Sequence, residues 1–424
     1  MTIRPFMVIL HRWFGLAAAV FLFIAGATGA VISWDHELDA WLNPQLFHAR
    51  SAGQPEAGKT LPGLELANRV EAQDRRMRVT YVMTANEPGH TSTMMVEGRI
   101  DPASGQPYNL GFNQIAVDPV SAEIQGKRMW GAISLSRENL LPFLYKLHYT
   151  MHLPEVGGIE LGTWLMGVIG IVWALDCFIA LWLSFPNWRS WRGLRKSFAF
   201  RWRQGGHKLN FDLHRSGGVW LWMLLLVLAV TSVSMNLYNP VMRPVVQTFS
   251  TLTPDPFDGR KPMLPALAAK VEPGVSREQV AHLASQDGQR RGWTTPVGGV
   301  FYSSAFGLYG VGFFEAGNDH GDVGLGNSWL YYDAGDGHAA GAKIPGTGSA
   351  GDIFMQAQFP LHSGRILGLT GRILISLMGV AVALLSVTGV IIWARKRRAR
   401  LLAARQAKTR NLAEANGPRP AIAK

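Results

Sequence analysis

The chain has 424 residues, 48% of them hydrophobic and 17% charged, and a formal net charge of +12. One cysteine, Cys177, excludes an internal disulfide, a CxxC metal or redox site and a thiolate-held iron–sulfur cluster. A mean hydropathy of +0.08 is high for a soluble protein and low for a pure transporter, which suggests a few membrane helices joined to sizeable aqueous segments.

A bilayer-crossing helix needs about 20 apolar residues, and four segments supply them. The first, 5–34, contains GLAAAVFLFIAGATGAVISW. That run exceeds the roughly 7–15-residue core of a cleaved signal peptide, so it reads as a retained anchor. An aqueous segment of mixed sign follows over 35–158. The second span covers 159–185, then a basic loop 186–216, the third span 217–238, a second mixed segment 239–365 and the fourth span 366–394. A basic tail, 395–424, opens with Arg395, Lys396, Arg397, Arg398 and Arg400 and is expected to be unstructured. Trp34, Trp182, Trp220, Trp222 and Trp393 lie near the span ends, where amphipathic rings favour the headgroup region.

The loop 186–216 carries Arg189, Arg192, Arg195, Lys196, Arg201, Arg203, Lys208 and Arg215 against Asp212. The positive-inside rule therefore puts this loop and both termini in the cytoplasm and the two long segments outside. The net charge is a topology signal, strengthened by the lipid bilayer's anionic headgroups, and nucleic acid is not an expected partner.

Internal repeats place the chemistry. Leu10-His11-Arg12 with Gly15 opens the first span, and Leu213-His214-Arg215 with Gly218 opens the third. Leu147-His148 and Leu361-His362 precede the second and fourth spans, and Leu-Met-Gly-Val recurs at Leu165–Val168 and Leu377–Val380. Ala116-Val117-Asp118-Pro119 echoes Tyr331-Tyr332-Asp333-Ala334, each a strand running into a turn. The chain reads as a four-helix transmembrane bundle built as a tandem repeat of helix, outer segment, helix, with parallel halves related by an axis along the membrane normal. His11 and His214 then lie at one depth, near the cytoplasmic face, and His148 and His362 at another, near the outer face. Each pair can meet across the axis, as a bis-histidine haem requires.

An imidazole inside an apolar run is costly and has a partner. Two imidazoles saturate haem iron and favour electron transfer over oxygen chemistry. Arg12 and Arg215 are positive-inside residues that could also bind haem propionates. His152 lies four residues after His148 and, on a continuing helix, shares its face; His148 ranks first as ligand, with His152 as a supporting or propionate partner. His36, His48, His90, His207, His282, His320 and His338 read as surface residues. Asp176, mid-span, reads either as a proton relay or as a neutral packing group, and Cys177 as core. Met151, Met355 and Met378 read as gap fillers rather than ligands. Without HExxH, GxSxG, P-loop or GxGxxG motifs, hydrolase, NTPase and built-in NAD or flavin chemistry have no local support. An electron donor has to be a membrane quinol or a separate cytoplasmic reductase.

These residues resemble the PepSY-associated transmembrane family and, within it, bacterial iron-regulated siderophore reductases. The resemblance rests on His11-Arg12-Trp13 with Gly15, Trp34-Asp35-His36-Glu37-Leu38-Asp39 with Leu42-Asn43-Pro44, Leu147-His148, Leu213-His214-Arg215 and Leu361-His362-Ser363-Gly364, and covers most of 8–395. It implies a bacterial inner-membrane oxidoreductase with two b haems, held by His11 with His214 and by His148 with His362. It implies electron delivery to a ferric siderophore in the periplasm and α+β PepSY-like modules around 60–130 and 262–345, with Ser276 capping a helix. His152 departs from a simple outer pair. Hard oxygen donors fit Fe(III) far better than Fe(II), so one electron loosens a siderophore's grip. Two rival readings are a haem-free membrane-anchored PepSY module that binds or restrains a periplasmic partner, and a proton-coupled transporter built on Asp176. Trp130, Tyr145, Tyr149 and Trp293 read equally as an outer substrate surface or as core.

Overall fold

The computed structural model describes residues 3–53, 59–186, 190–321 and 323–415. The helices are α1 (Ile3–Ile32), α2 (Asp35–Leu42), α3 (Pro44–Phe47), α4 (Gly63–Gln73), α5 (Leu140–Thr150), α6 (Leu161–Ser184), α7 (Trp191–Phe198), α8 (Gly206–Asn236), α9 (Arg243–Gln247), α10 (Pro265–Ala268), α11 (Arg277–Arg290), α12 (Ala350–Ser363) and α13 (Gly368–Ala415). The strands are β1 (Met77–Met83), β2 (Ser92–Gly98), β3 (Gln114–Val117), β4 (Ile124–Arg128), β5 (Glu155–Val156), β6 (Ile159–Glu160), β7 (Val297–Ser303), β8 (Leu308–Phe313), β9 (Ser328–Asp333) and β10 (Ala339–Lys343).

Among the described residues four helices are long and apolar enough to cross a membrane: Ile3–Ile32, Leu161–Ser184, Gly206–Asn236 and Arg365–Asn411. Val20, Leu175, Phe178, Met223 and Leu384 stand exposed on them, apolar surface that suits lipid rather than water. The chain is a membrane protein with α+β content.

Two compact units divide the chain, one from Met1–Ala27, Val168–Val230 and Met378–Lys424, the other from Thr28–Gly167 and Thr231–Leu377. In the first unit, Gly26 of α1 meets α13 so closely that a Cβ there would lie 2.6 Å from the Gly379 carbonyl oxygen. Small residues at such a crossing let two backbones approach. The expected basic loop 186–216 is partly helical: Ser190 caps α7 by accepting from the Gly193 amide at 3.4 Å, and Arg201 forks onto the buried Asp212 with both bonds at 2.7 Å.

Two helix bounds differ from the sequence expectation by more than a few residues. α8 starts at Gly206 rather than at 217, so His214 sits within the helix and not at its mouth. α13 does not stop at 394 but continues through the tail to Ala415. Leu401-Leu402-Ala403-Ala404-Arg405-Gln406-Ala407-Lys408 are strong helix formers without Gly or Pro, which is why the tail holds this form. Residues 416–424 lie outside the described part.

The second unit is built on one eight-stranded antiparallel sheet in the order β10-β9-β8-β7-β1-β2-β3-β4. Each half is a helix followed by a four-stranded meander, α4 with β1 to β4 and α11 with β7 to β10. The expected modules at 60–130 and 262–345 are thus joined in one sheet through β1 and β7, where Tyr81 pairs with Phe301 and Met83 with Gly299. Alternation sets the faces: Leu66 and Val70 of α4 cluster with Met77, Val79, Met94, Val96 and Ile115 of the sheet, and Val280 of α11 clusters with Val300, Tyr302, Val311 and Tyr332. β3 and β9, the third strands of their meanders, carry Ala116-Val117 and Tyr331-Tyr332, as the echo between them suggested. Ser276 caps α11 through a full capping box with Gln279, and Ser349 caps α12 through another with Asp352.

Candidate functional site: two facing histidine pairs

In the first unit, His11 on α1 and His214 on α8 face each other with ring centroids 6.1 Å apart and planes inclined by 45°. Both Asp176 carboxylate oxygens, at 2.9 and 3.0 Å, accept from His11 Nδ1. His214 Nδ1 donates to the Leu385 carbonyl at 3.0 Å and lies 3.2 Å from Thr388 Oγ1, which itself donates to the Leu384 carbonyl. An acceptor at Nδ1 places the ring proton there and leaves Nε2 with the lone pair that ligates metals.

In the second unit, His148 near the end of α5 faces His362 near the end of α12, centroids 6.0 Å apart and planes at 64°. Thr28 Oγ1 stands 3.1 Å from His148 Nδ1, and Thr231 Oγ1 stands 2.9 Å from His362 Nδ1. Burial, with the His148 imidazole beside it, pushes His362 down to about 3, so its ring is neutral at physiological pH. The Gly364 backbone, at φ +77°, ends α12 in the left-handed turn that glycine favours, two residues after His362.

His152 plays no part in this pair. α5 stops at Thr150, and Met151 and His152 both adopt left-handed backbone at φ 51° and 53°. The same-face expectation needs a helix that continues, and this one does not. His152 Nε2 donates instead to the Phe143 carbonyl at 2.9 Å, with its ring stacked on Phe143.

A cavity of about 860 Å³ opens beside the first pair, lined by His11, Gly15, Asp176, His214 and Gly218 and bordered by Arg12 and Arg215. That volume falls within the range of cofactor pockets. Gly15 and Gly218 follow their histidines by four residues, hence share their helix faces, and a Cβ at either would meet only open space. The buried Nε of Arg12 and of Arg215 has no hydrogen-bond partner among the described residues. Arg12 lies 5.4 Å over the Trp13 ring and Arg215 5.2 Å over Phe211. A buried guanidinium nitrogen left so awaits an anionic acceptor.

The chain belongs to the PepSY-associated TM region family. That family matches residues 8–396, which takes in all four histidines, the sheet and the four candidate spans apart from the first five residues of α1 and the last turns of α13. No curated protein matches the chain significantly.

Within this PepSY-associated chain, several contributors escape local sequence reading. Asp176 is the hydrogen-bond partner of His11. Thr28-Gly29 and Thr388-Gly389 each cup one imidazole: a Cβ on Gly29 would lie 2.9 Å from His148 Cε1, and one on Gly389 would lie 2.9 Å from His214 Cε1. The signal was present, since Ala27-Thr28-Gly29-Ala30-Val31-Ile32 and Val387-Thr388-Gly389-Val390-Ile391-Ile392 nearly repeat.

A second, polar cavity of about 760 Å³ lies in the second unit. His36, His90 and His320, expected as separate surface residues, line it together with Trp130, Tyr145 and Trp329. His320 Nδ1 lies 2.7 Å from Asp319, and that bond raises the imidazole above its usual value. Of the four aromatics in question, Trp130 and Tyr145 line the cavity, Tyr149 meets the Tyr145 ring edge-on, and Trp293 packs edge-on against Phe313 in the core under α11.

Proposed function

We propose that the chain is a transmembrane electron-transfer protein that holds one b haem at each histidine pair and reduces a ferric siderophore. The observation that carries this reading is the spacing of the pairs. With each imidazole nitrogen about 2 Å from a shared metal, two opposed rings have centroids about 6 Å apart, against 6.1 and 6.0 Å here. The donor set is right as well: four imidazoles with their Nδ1 positions engaged, and two arginines with an orphaned Nε beside the first pair.

Bound haem supplies reversible one-electron chemistry at a saturated iron, with no open position for oxygen. The chain does the rest. Asp176, Leu385, Thr28 and Thr231 orient the four rings, Gly29 and Gly389 admit them, Gly15 and Gly218 leave room beside them, and Arg12 and Arg215 neutralise propionates. In the proposed topology the protein crosses the bacterial inner membrane, with both termini and 186–216 cytoplasmic and the sheet periplasmic, as the Lys and Arg asymmetry favours. The helix-plus-meander pattern found twice supports a tandem duplication as its origin. The polar cavity of the second unit, with aromatic and charged walls, is the proposed acceptor site. The donor is a membrane quinol or a separate cytoplasmic reductase.

The test is the reduced-minus-oxidised visible spectrum of the purified protein with a pyridine haemochrome count. Two low-spin b haems per chain, and one in each of His11→Ala and His362→Ala, are expected. A colourless protein from haem-replete cells would sink the reading and leave a haem-free PepSY module or a transporter.

A further inference from the structure

The four imidazoles are alike in geometry and unlike in one respect. The Nδ1 partners described for His148, His214 and His362 are hydroxyl or carbonyl oxygens. The partner of His11 is a carboxylate, with both oxygens of Asp176 within 3.0 Å of Nδ1. Asp176 comes from α6, 165 residues away in sequence, and projects into the same cavity wall.

A carboxylate on the far nitrogen of a metal-bound imidazole draws the ring proton toward itself and makes the ligand a stronger base. It also places a negative charge close to the iron. Both effects favour the ferric state, which carries one more positive charge than the ferrous. Arg12 and Arg215 border the same cavity, but a guanidinium paired with a propionate contributes little net charge. Among the described residues, the Asp176 carboxylate pairs with His11 and with no Arg or Lys.

Resting on the two-haem reading, we propose that Asp176 is a positioning residue that holds the reduction potential of the His11–His214 haem below that of the His148–His362 haem. An electron delivered at the first pair would then favour the second at equilibrium. The balance is simple: the first iron loses one electron and the second gains it. The Nδ1 proton stays between His11 and Asp176, and no further reactant is consumed.

The experiment is a potentiometric titration of the full-length protein in detergent, followed in the visible spectrum after a haem count. Two separated one-electron waves are expected, and His362→Ala, which keeps the first haem alone, should titrate at the lower one. Asp176→Asn should raise the lower wave and shift the partition of one electron between the haems by tenfold or more, which is about 59 mV for a one-electron couple. A chain without haem overturns both this inference and the reading beneath it. Two haems titrating in a single wave, or waves unmoved in Asp176→Asn, overturn the inference alone. If Asp176→Asn fails to keep its first haem, the wild-type near-infrared charge-transfer bands decide. Two bands, one displaced toward imidazolate-type ligation and retained in Asp176→Glu, support the assignment, and one common band overturns it.

Discussion

Gly389 touches the face of His214: a methyl group in its place would lie 2.9 Å from Cε1, inside any normal contact. Gly29 stands in the same relation to His148. Replacing either glycine with alanine raises helix propensity by about 1 kcal/mol, so the helices should still form. The imidazole, however, is pushed off its axis. Gly389→Ala and Gly29→Ala should each lower the haemochrome count from two per chain to one without lowering the yield of folded protein. A full complement of haem in both variants would show that the contact does not position the ring.

His148 and His152 make opposite predictions. His148→Ala should remove one haem, whereas His152→Ala should keep two and cost the hydrogen bond to Phe143 and the stacking on its ring, about 1–2 kcal/mol. Loss of a haem in His152→Ala alone would transfer the ligand role.

Asp39 and Arg128 form a buried ion pair at 2.6 Å, with Asp39 also accepting from Asn43 at 2.7 Å. Removing one partner strands a charge, so Arg128→Ala should destabilise the second unit by about 3–5 kcal/mol. Replacing the exposed Arg50, paired with Glu123 on the surface, should cost less than about 1 kcal/mol. Thermal unfolding of the two variants side by side measures the contrast.

Capping gives a smaller effect. Ser276→Ala removes the acceptor for the Gln279 amide and should cost about 1 kcal/mol, and Ser276→Asp should restore most of it. Denaturant midpoints at constant slope are the readout.

The proposed topology is checked with single cysteines in a Cys177→Ser background. Asp336→Cys and Lys408→Cys are both at exposed positions. In intact spheroplasts, a membrane-impermeant thiol reagent should label the first and spare the second. Labelling of both or of neither would contradict the assignment.

Much of the frame was readable in the chain. Length, apolarity and the flanking Trp residues locate four spans, and the repeated Leu-His-Arg-x-x-Gly singles out His11 and His214. The pairing of His148 rather than His152 was harder. It turns on Met151 adopting left-handed backbone, which an unbranched apolar residue seldom does and which no local pattern announces. The bond from His11 to Asp176 is long-range, so periodicity could place both residues in spans but could not bring them together. The same limit hid the junction of the two meanders, because antiparallel pairing between β1 and β7 depends on tertiary context. The helical tail was misjudged for another reason. Its charge favours a solvated, open chain, whereas its Leu, Ala, Arg and Lys favour helix.

The shared sheet also sets a timetable for synthesis. β1 ends at Met83 and its partner β7 begins at Val297, so about 210 residues must be added before the seam can close. At roughly 5–20 residues per second, that is a delay of roughly 10–40 s. Through that interval β1 has one edge satisfied by β2 and the other bare, which is the condition that invites pairing with a neighbouring nascent chain. A ribosome that stalls between the two halves would therefore release a product with an open seam, and chaperone capture during translation should peak over this window.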